Sequence, residues 1–195
     1  MGKSKTNKWG VILFYDKIFI HQKLHKWEGF LREYNLPSWD ELPSIGLYMD
    51  QVIGLIEKSL SFLKLDEDDK IVTSTMINNY VKAKLVSPPI KKKYSREHVA
   101  YFTVICFLKR VFSLDEISTL LKIQFENVPL DESYNIFCDV LEALLINEEI
   151  SDDIKVMDGH IGDLFLKVMR ACVYAIHAST IISNAAQKQK DEKKG

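Results

Sequence analysis

Apolar residues recur along most of the chain at the three- and four-residue spacing of helices that bury one face. One such stripe runs from residue 20 to 34, and a second runs from about residue 47 to 63. The 195 residues include only five prolines and eight glycines, and no alternating stretch is long enough for a convincing sheet. This pattern predicts an all-α protein.

A short helix and a non-helical basic turn follow the second stripe. Thr73 or Ser74 is suited to be the N-cap of this helix, which we expect to end near Lys84. Residues 87–94 read SPPIKKKY. They cannot be helical, because each proline restricts its own backbone and that of the residue before it.

The next helix is the most apolar of the chain. Ser95 is predicted to cap it, and its middle, residues 99–108, is apolar nearly all round, which predicts burial on most sides. The sequence Ser113-Leu-Asp-Glu116 is a capping box that opens another helix, which we expect to end before Pro129.

Two further helices are predicted over residues 131–147 and 159–187. In the last one Ile161, Val168, Ala175 and Ile182 are seven residues apart, which is the period of a helix that pairs with another helix. Residues 159–187 therefore either form the interface of a homodimer or pack as a core helix of their own chain.

The net charge of −1 conceals a strong polarity along the chain. Residues 74–110 carry eight basic and one acidic side chain, whereas residues 111–158 carry two basic and twelve acidic ones. The first segment favours a polyanionic partner. We expect the second to keep the distal body soluble and away from such a partner.

The cysteines and the apolar segments bear on the compartment. Cys106, Cys138 and Cys172 are an odd number without a close pair, which favours buried thiols in a reducing compartment. The apolar run near the N-terminus lacks the cleavage site of a signal peptide. Charged residues interrupt the apolar C-terminal stretch, so we expect no membrane span and a cytoplasmic protein.

The order of elements over residues 72–121 resembles a known DNA-binding module. The carrying sequences are TMINNYVKAKLV at 75–86, KKYSREHV at 92–99 and FSLDEI at 112–117. They resemble the winged helix-turn-helix of the MerR-like (mercury-resistance-regulator-like) family over roughly 50 of the 195 residues. The wider stretch 42–121 is also similar to a bacterial family of helical proteins of unassigned function.

The resemblance implies a helix-turn-helix with a minimal wing that binds double-stranded DNA. Five polar residues of the short helix would face a groove, since short polar side chains near a helix N-terminus can reach phosphates and base edges. Three lysines and two tyrosines would hold phosphates, Lys92 matching the wing arginine of the family. The groove-facing residues are Ser74, Thr75, Asn78, Asn79 and Lys82, and the phosphate-binding ones are Lys91, Lys92, Lys93, Tyr80 and Tyr94.

The chain departs from the family pattern at a few positions. Asn78 stands where the family usually has arginine, Lys84 replaces the glycine at the exit of the recognition helix, and Val111 replaces a second glycine. The wing segment between Val86 and Tyr94 is also shorter than the hairpin of the family.

No sequence pattern of an enzyme stands out. Gly159-His-Ile-Gly162 lacks the Lys-Ser/Thr of a phosphate loop, and there is no nucleophile elbow. His21, His25 and Glu28 have a metal-like spacing, but Gln22 stands where a zinc protease has its general base, so a solvated polar face explains them better. We expect no catalytic site, no metal and no cofactor.

These observations lead to two hypotheses of different classes. The first has a helical extension (1–45), a helix-turn-helix module (46–122) and a helical part with a pairing helix (123–195), which together form a dimeric transcriptional regulator. The alternative is a non-catalytic module that binds a partner protein or an apolar ligand, with a purely structural helix-turn-helix. An effector bound between the C-terminal helices is a third possibility, and the sequence names no ligand.

Overall fold

A computed structural model describes residues 29, 31–66, 68–146, 150 and 159–192. Within them the chain is helical and has no β-strand, which confirms the all-α prediction. Two short 3-10 turns, Trp39–Glu41 and Ser61–Leu63, lie on either side of the first helix. The helices are α1 (Met49–Ser59), α2 (Ser74–Lys82), α3 (Arg96–Leu108), α4 (Leu114–Phe125), α5 (Leu130–Leu145) and α6 (Gly159–Glu192).

The helices begin close to where the capping residues predict. The Thr73 hydroxyl accepts a hydrogen bond from the backbone N–H of Met76 at 3.2 Å and so caps α2. Ser113 and Glu116 form the predicted capping box of α4. The second apolar stripe was expected as one helix to residue 63, but α1 ends at Ser59 and the chain continues as a 3-10 turn. Of the first apolar stripe, residues 29 and 31–34 are described: residues 29, 31 and 32 are helical, residue 33 forms a turn and residue 34 is outside the helix.

One hydrophobic core extends from Leu31 to Ile176. The apolar helix α3 lies at its centre, as its composition predicts: Val99, Phe102 and Ile105 are almost completely buried. Buried residues from all three predicted parts of the chain belong to this one core. The division into three parts stays a prediction.

The connector before α1 is bound to distant helices. The backbone N–H of Trp39 donates to the side-chain oxygen of Asn135 on α5 at 2.8 Å. The Arg96 guanidinium at the start of α3 lies 5.6 Å from the centre of the Trp39 ring. The region before α1 is therefore fixed to α3 and α5.

The cysteines are core residues. Cys106, Cys138 and Cys172 are buried and free, as the odd cysteine count predicts. Burial raises the pKa of the Cys106 and Cys172 thiols to about 12, so both stay neutral and unreactive at physiological pH.

Among the described side chains of helix α6, the buried ones lie on one side and end at Ile176. Its inner face packs against α5 and α3 through Val168, Met169, Cys172, Val173 and Ile176. Its outer face exposes Tyr174 and Ile182, each by about two thirds. By length and composition Gly159–Ala186 could cross a membrane, a test that core helices of soluble proteins also pass.

Candidate nucleic-acid interface

The groove-facing residues predicted on α2 share one exposed face. Ser74, Thr75, Asn78, Asn79 and Lys82 are all exposed. At about 100° per residue they occupy an arc of roughly 140°. Ile77 and Tyr80 lie opposite and are buried, which fixes this face outward. The first turn carries no acidic side chain, so the positive end of the helix dipole is not offset there.

Helix α2 ends in a left-handed residue that is a lysine. The N–H of Leu85 donates to the carbonyl of Tyr80 and the N–H of Lys84 donates to that of Val81, both at 3.0 Å. This is a Schellman motif, in which the residue after the C-cap has positive φ and is usually glycine. Lys84 has φ 58°. Lys84 stands where the MerR-like family has a glycine at the exit of the recognition helix. It therefore combines the backbone conformation of a glycine position with a cationic side chain.

The three consecutive lysines lie on a tight turn. Ile90 and Lys93 exchange backbone hydrogen bonds of 3.1 and 2.9 Å across it. Lys91 and Lys92 at its centre have φ 51° and 62°, the left-handed pair of a type I′ turn that normally takes Asn-Gly. All three lysines are exposed. The predicted minimal wing is thus a single two-residue turn.

His98 ties the two ends of the lysine-bearing segment together. Its ring is buried, and Nδ1 accepts a hydrogen bond from the backbone N–H of Ser95 at 3.0 Å. This assigns the proton to Nε2, which donates to the carbonyl of Ser87 at 3.1 Å. Residues 87 and 95 are therefore held by one side chain.

Both tyrosines that are predicted to hold phosphates are buried, which does not favour those contacts. Tyr80 is 1% exposed and its hydroxyl is buried. Tyr94 is 4% exposed, and its ring packs edge-to-face on His98 and Phe102. Both rings contact Phe102 of α3, with centroids 6.3 and 5.8 Å away. Their packing on Phe102 therefore fixes α2 and the lysine turn to the core.

Two exposed lysines near these elements, Lys84 and Lys109, are not among the predicted DNA contacts. The sequence comparison treats Lys84 as the replacement of a glycine, although its place in the basic segment is a signal for a phosphate contact. Lys109 at the end of α3 has its Nζ 6.0 Å from the centre of the Tyr80 ring, a contact that no local pattern announces. We call the exposed face of α2, Lys84 and residues 91–93 the basic surface.

The segment that forms the basic surface contains no acidic side chain. Residues 74–94 contain five lysines and no acidic residue. Among the described residues, no carboxylate forms a salt bridge with any of them. Lys93 instead lies over the Tyr48 ring, with its Nζ 5.5 Å from the ring centre.

The described acidic residues just before α2, Asp66, Asp68 and Asp69, leave the outer face of α2 open to solvent. Their segment makes local hydrogen bonds: the N–H of Leu65 donates to Asp69 and the N–H of Asp69 donates to the carbonyl of Asp66. Glu57 of α1 fixes the following segment by accepting from the backbone N–H of Ile71 and Val72 at 2.7 and 3.1 Å. Asn78 remains exposed beyond it.

A small apolar cavity lies away from the basic surface. It lies between α3, α4, α5 and α6 and has a volume of about 60 Å³. Its lining includes Leu121, Phe137, Leu164 and Phe165, with the Gln124 amide as a polar group. The described residues hold no cluster that could bind a metal, and His21, His25 and Glu28 lie outside them.

The chain matches a protein-family model described as a domain of unknown function, DUF1836, over residues 37–137. This match covers just over half of the 195 residues. The chain belongs to the DUF1836 family. The family region spans α1 to α4 and half of α5, so it contains the whole basic surface. No curated protein and no solved structure matches the chain.

Proposed function

We propose that this protein is a MerR-like, DNA-binding transcriptional regulator that acts as a dimer in the cytoplasm. The observation that carries the proposal is the identity of the residues with positive φ. In the described part of the chain, every non-glycine residue of this kind is a lysine of the basic surface, namely Lys84, Lys91 and Lys92.

These positions favour glycine or asparagine on backbone grounds. A side chain with a Cβ in the left-handed region costs about 1–2 kcal/mol per residue. Lysine has no local hydrogen bond to offset this cost, unlike asparagine. A function that needs cationic side chains at these places accounts for three such lysines on one surface, and a DNA backbone is the partner of matching charge.

The rest of the surface supports the same partner. An exposed polar helix face beside cationic turns allows base contacts and phosphate contacts in one docking geometry. Residues 74–94 contain no acidic residue, and acidic residues cluster on either side of them, at 66–69 and after residue 110. We propose no catalytic role and no cofactor.

Dimer formation follows from the small size of this surface. One such module buries too little DNA surface for specific affinity, and two-fold pairing doubles the area. The inner part of the predicted seam, including Val168, is already buried in the chain's own core. We therefore assign pairing to the outer stripe of α6, formed by Ala171, Tyr174, Ala178 and Ile182.

The test is fluorescence anisotropy with a mixed-sequence duplex across a salt series. With Lys82, Lys84 and Lys91–Lys93 on phosphates, the slope of log K against log salt is expected to be about −4.5 per subunit. The triple variant Lys91/Lys92/Lys93→Glu should abolish binding.

A matched control makes the same single charge reversal elsewhere. Lys58 is exposed on α1, outside both the basic surface and the outer stripe of α6. Lys92→Glu should weaken binding, whereas Lys58→Glu should bind as the wild type does. Equal loss in these two variants, or no binding by the wild type at low salt, contradicts the proposal.

The cavity favours the second candidate function, an apolar-ligand module. Its lining is almost wholly apolar, as ligand sites commonly are. Its volume of about 60 Å³ is well below the roughly 150 Å³ of an engineered cavity that holds benzene, so a ligand would have to displace α6. A shift in melting temperature with benzene or indole, without DNA binding, would favour this candidate.

A further inference from the structure

Two adjacent asparagines in the middle of α2 have no structural role there. The helix is capped by Thr73 and ends at the C-cap Ala83, so Asn78 and Asn79 lie in its interior. Asparagine is a poor interior residue because its amide competes for backbone hydrogen bonds. Within the described part of the chain, neither side-chain amide has a hydrogen-bond partner, and both residues are exposed.

The two asparagines differ in their place on the exposed face. Asn78 lies between Ser74 and Thr75 one turn before it and Lys82 one turn after it, all of them exposed. Asn79 is about 100° further round, next to the half-buried Met76, and so lies at the rim. A surface that meets this face at its middle contacts Asn78 first.

The chemistry of an exposed amide on such a face points to one base. A carboxamide donates and accepts at the same time, and this pattern matches N7 and the N6 amino group of adenine in the major groove. The Thr75 methyl group, one turn away, is suited to the methyl group of thymine. The lysines beside them are suited to phosphates, which fix the register of the helix.

We propose that α2 reads an A·T base pair through Asn78, with Thr75 against the thymine methyl group. This inference rests on the proposed DNA-binding function and names the sequence feature that the basic surface would recognise.

The experiment is selection from a duplex library with a randomised central segment, by the wild type, Asn78→Ala and Asn79→Ala. Bound duplexes are sequenced, and the best one is compared with its A·T→G·C version by anisotropy over a salt series. The wild type should enrich an A·T pair and prefer it about tenfold or more. Asn78→Ala should lose this preference with an unchanged salt slope, whereas Asn79→Ala should keep it.

Both variants change exposed positions, and equal melting temperatures verify that they fold. If Asn78→Ala selects the same A·T pair as the wild type, or the wild type enriches no A·T pair while binding the library, the inference is overturned and DNA binding stands. If the wild type binds no duplex at low salt, the proposed function itself fails.

Discussion

The ring of Tyr80 on α2 lies against the ring of Phe102 on α3, with 6.3 Å between their centroids. Tyr94, at the end of the lysine turn, packs on the same phenylalanine. One buried ring therefore sets the position of both elements of the basic surface. The two tyrosines belong to the support of this surface and not to its outer face.

The buried position of Tyr80 predicts a specific contrast between two substitutions. Tyr80→Phe removes a buried hydroxyl whose polar neighbour is the Cys106 thiol, a weak hydrogen-bonding group, so the free energy of unfolding should stay within about 1 kcal/mol of wild type. Tyr80→Ala should lower it by about 3–5 kcal/mol. Urea denaturation measures both. If the Tyr80→Phe protein folds normally but loses DNA binding, that result would support the predicted contact between the Tyr80 hydroxyl and a phosphate.

Lys84 should trade stability for affinity. Lys84→Gly relieves the left-handed strain and should raise the free energy of unfolding by about 1 kcal/mol. It should also make the salt slope of DNA binding less steep by about 0.9, because one phosphate contact is lost. The control is Ala83→Gly, where φ is −74°, which should lower stability by about 0.5–1 kcal/mol. Unchanged binding in Lys84→Gly would remove this lysine from the interface.

His98 should act on DNA binding without carrying a DNA contact. His98→Ala breaks the link between Ser87 and Ser95 and should lower the free energy of unfolding by about 1–3 kcal/mol. Affinity for DNA should fall although every lysine remains, because the turn is no longer held. His98→Gln, which keeps one donor and one acceptor, should recover part of both losses. Full DNA affinity in His98→Ala, measured where the protein is folded, would contradict this role.

Glu57 should make the protein sensitive to acid. Burial raises the pKa of this carboxyl, but the hydrogen bonds from Lys64 and from the backbone N–H of Val72 and Ile71 outweigh it and hold the pKa below its ordinary value of 4.5. A lowered folded-state pKa contributes stability at higher pH that is lost as the pH falls below about 4.5. Denaturant unfolding at several pH values should show a weaker decline for Glu57→Gln than for wild type. Asp50→Asn, an exposed carboxyl on the same helix, serves for comparison.

The outer stripe of α6 predicts the oligomeric state. Ile182→Glu places a charge in this exposed apolar stripe and should convert a dimer to a monomer in analytical ultracentrifugation. Ser183→Glu lies about 100° from Ile182 around the helix, outside the stripe, and should leave the dimer intact. A wild type that is monomeric at micromolar concentration would exclude pairing through α6.

The sequence predicts the helices well because their signals are local. Caps such as Thr73 and Ser113 and the two prolines at 88 and 89 act within a few residues. The end of α1 is less well predicted, since the apolar stripe continues through Ser61–Leu63 while the backbone changes to a 3-10 turn. The spacing of apolar residues indicates which residues are buried. An α-helix and a 3-10 turn can both bury them, so the spacing does not distinguish the two.

The candidate site was predictable only in part. Tyrosine is suited to both a core and a phosphate contact, so its type does not decide between them. For Tyr80 the signal was present, because it lies three residues after the apolar Ile77 on the same face of α2. Tyr94 and Lys109 depend on contacts between elements far apart in the sequence, which no local pattern contains.

The family match stops at residue 137, in the middle of α5, whose buried side continues through Val140, Leu141 and Leu145. Truncating the chain at residue 137 would remove half of α5 and expose the apolar side that packs against α6. The region that the family model covers, residues 37–137, is therefore shorter than the region that contributes to the single core, which runs from Leu31 to Ile176.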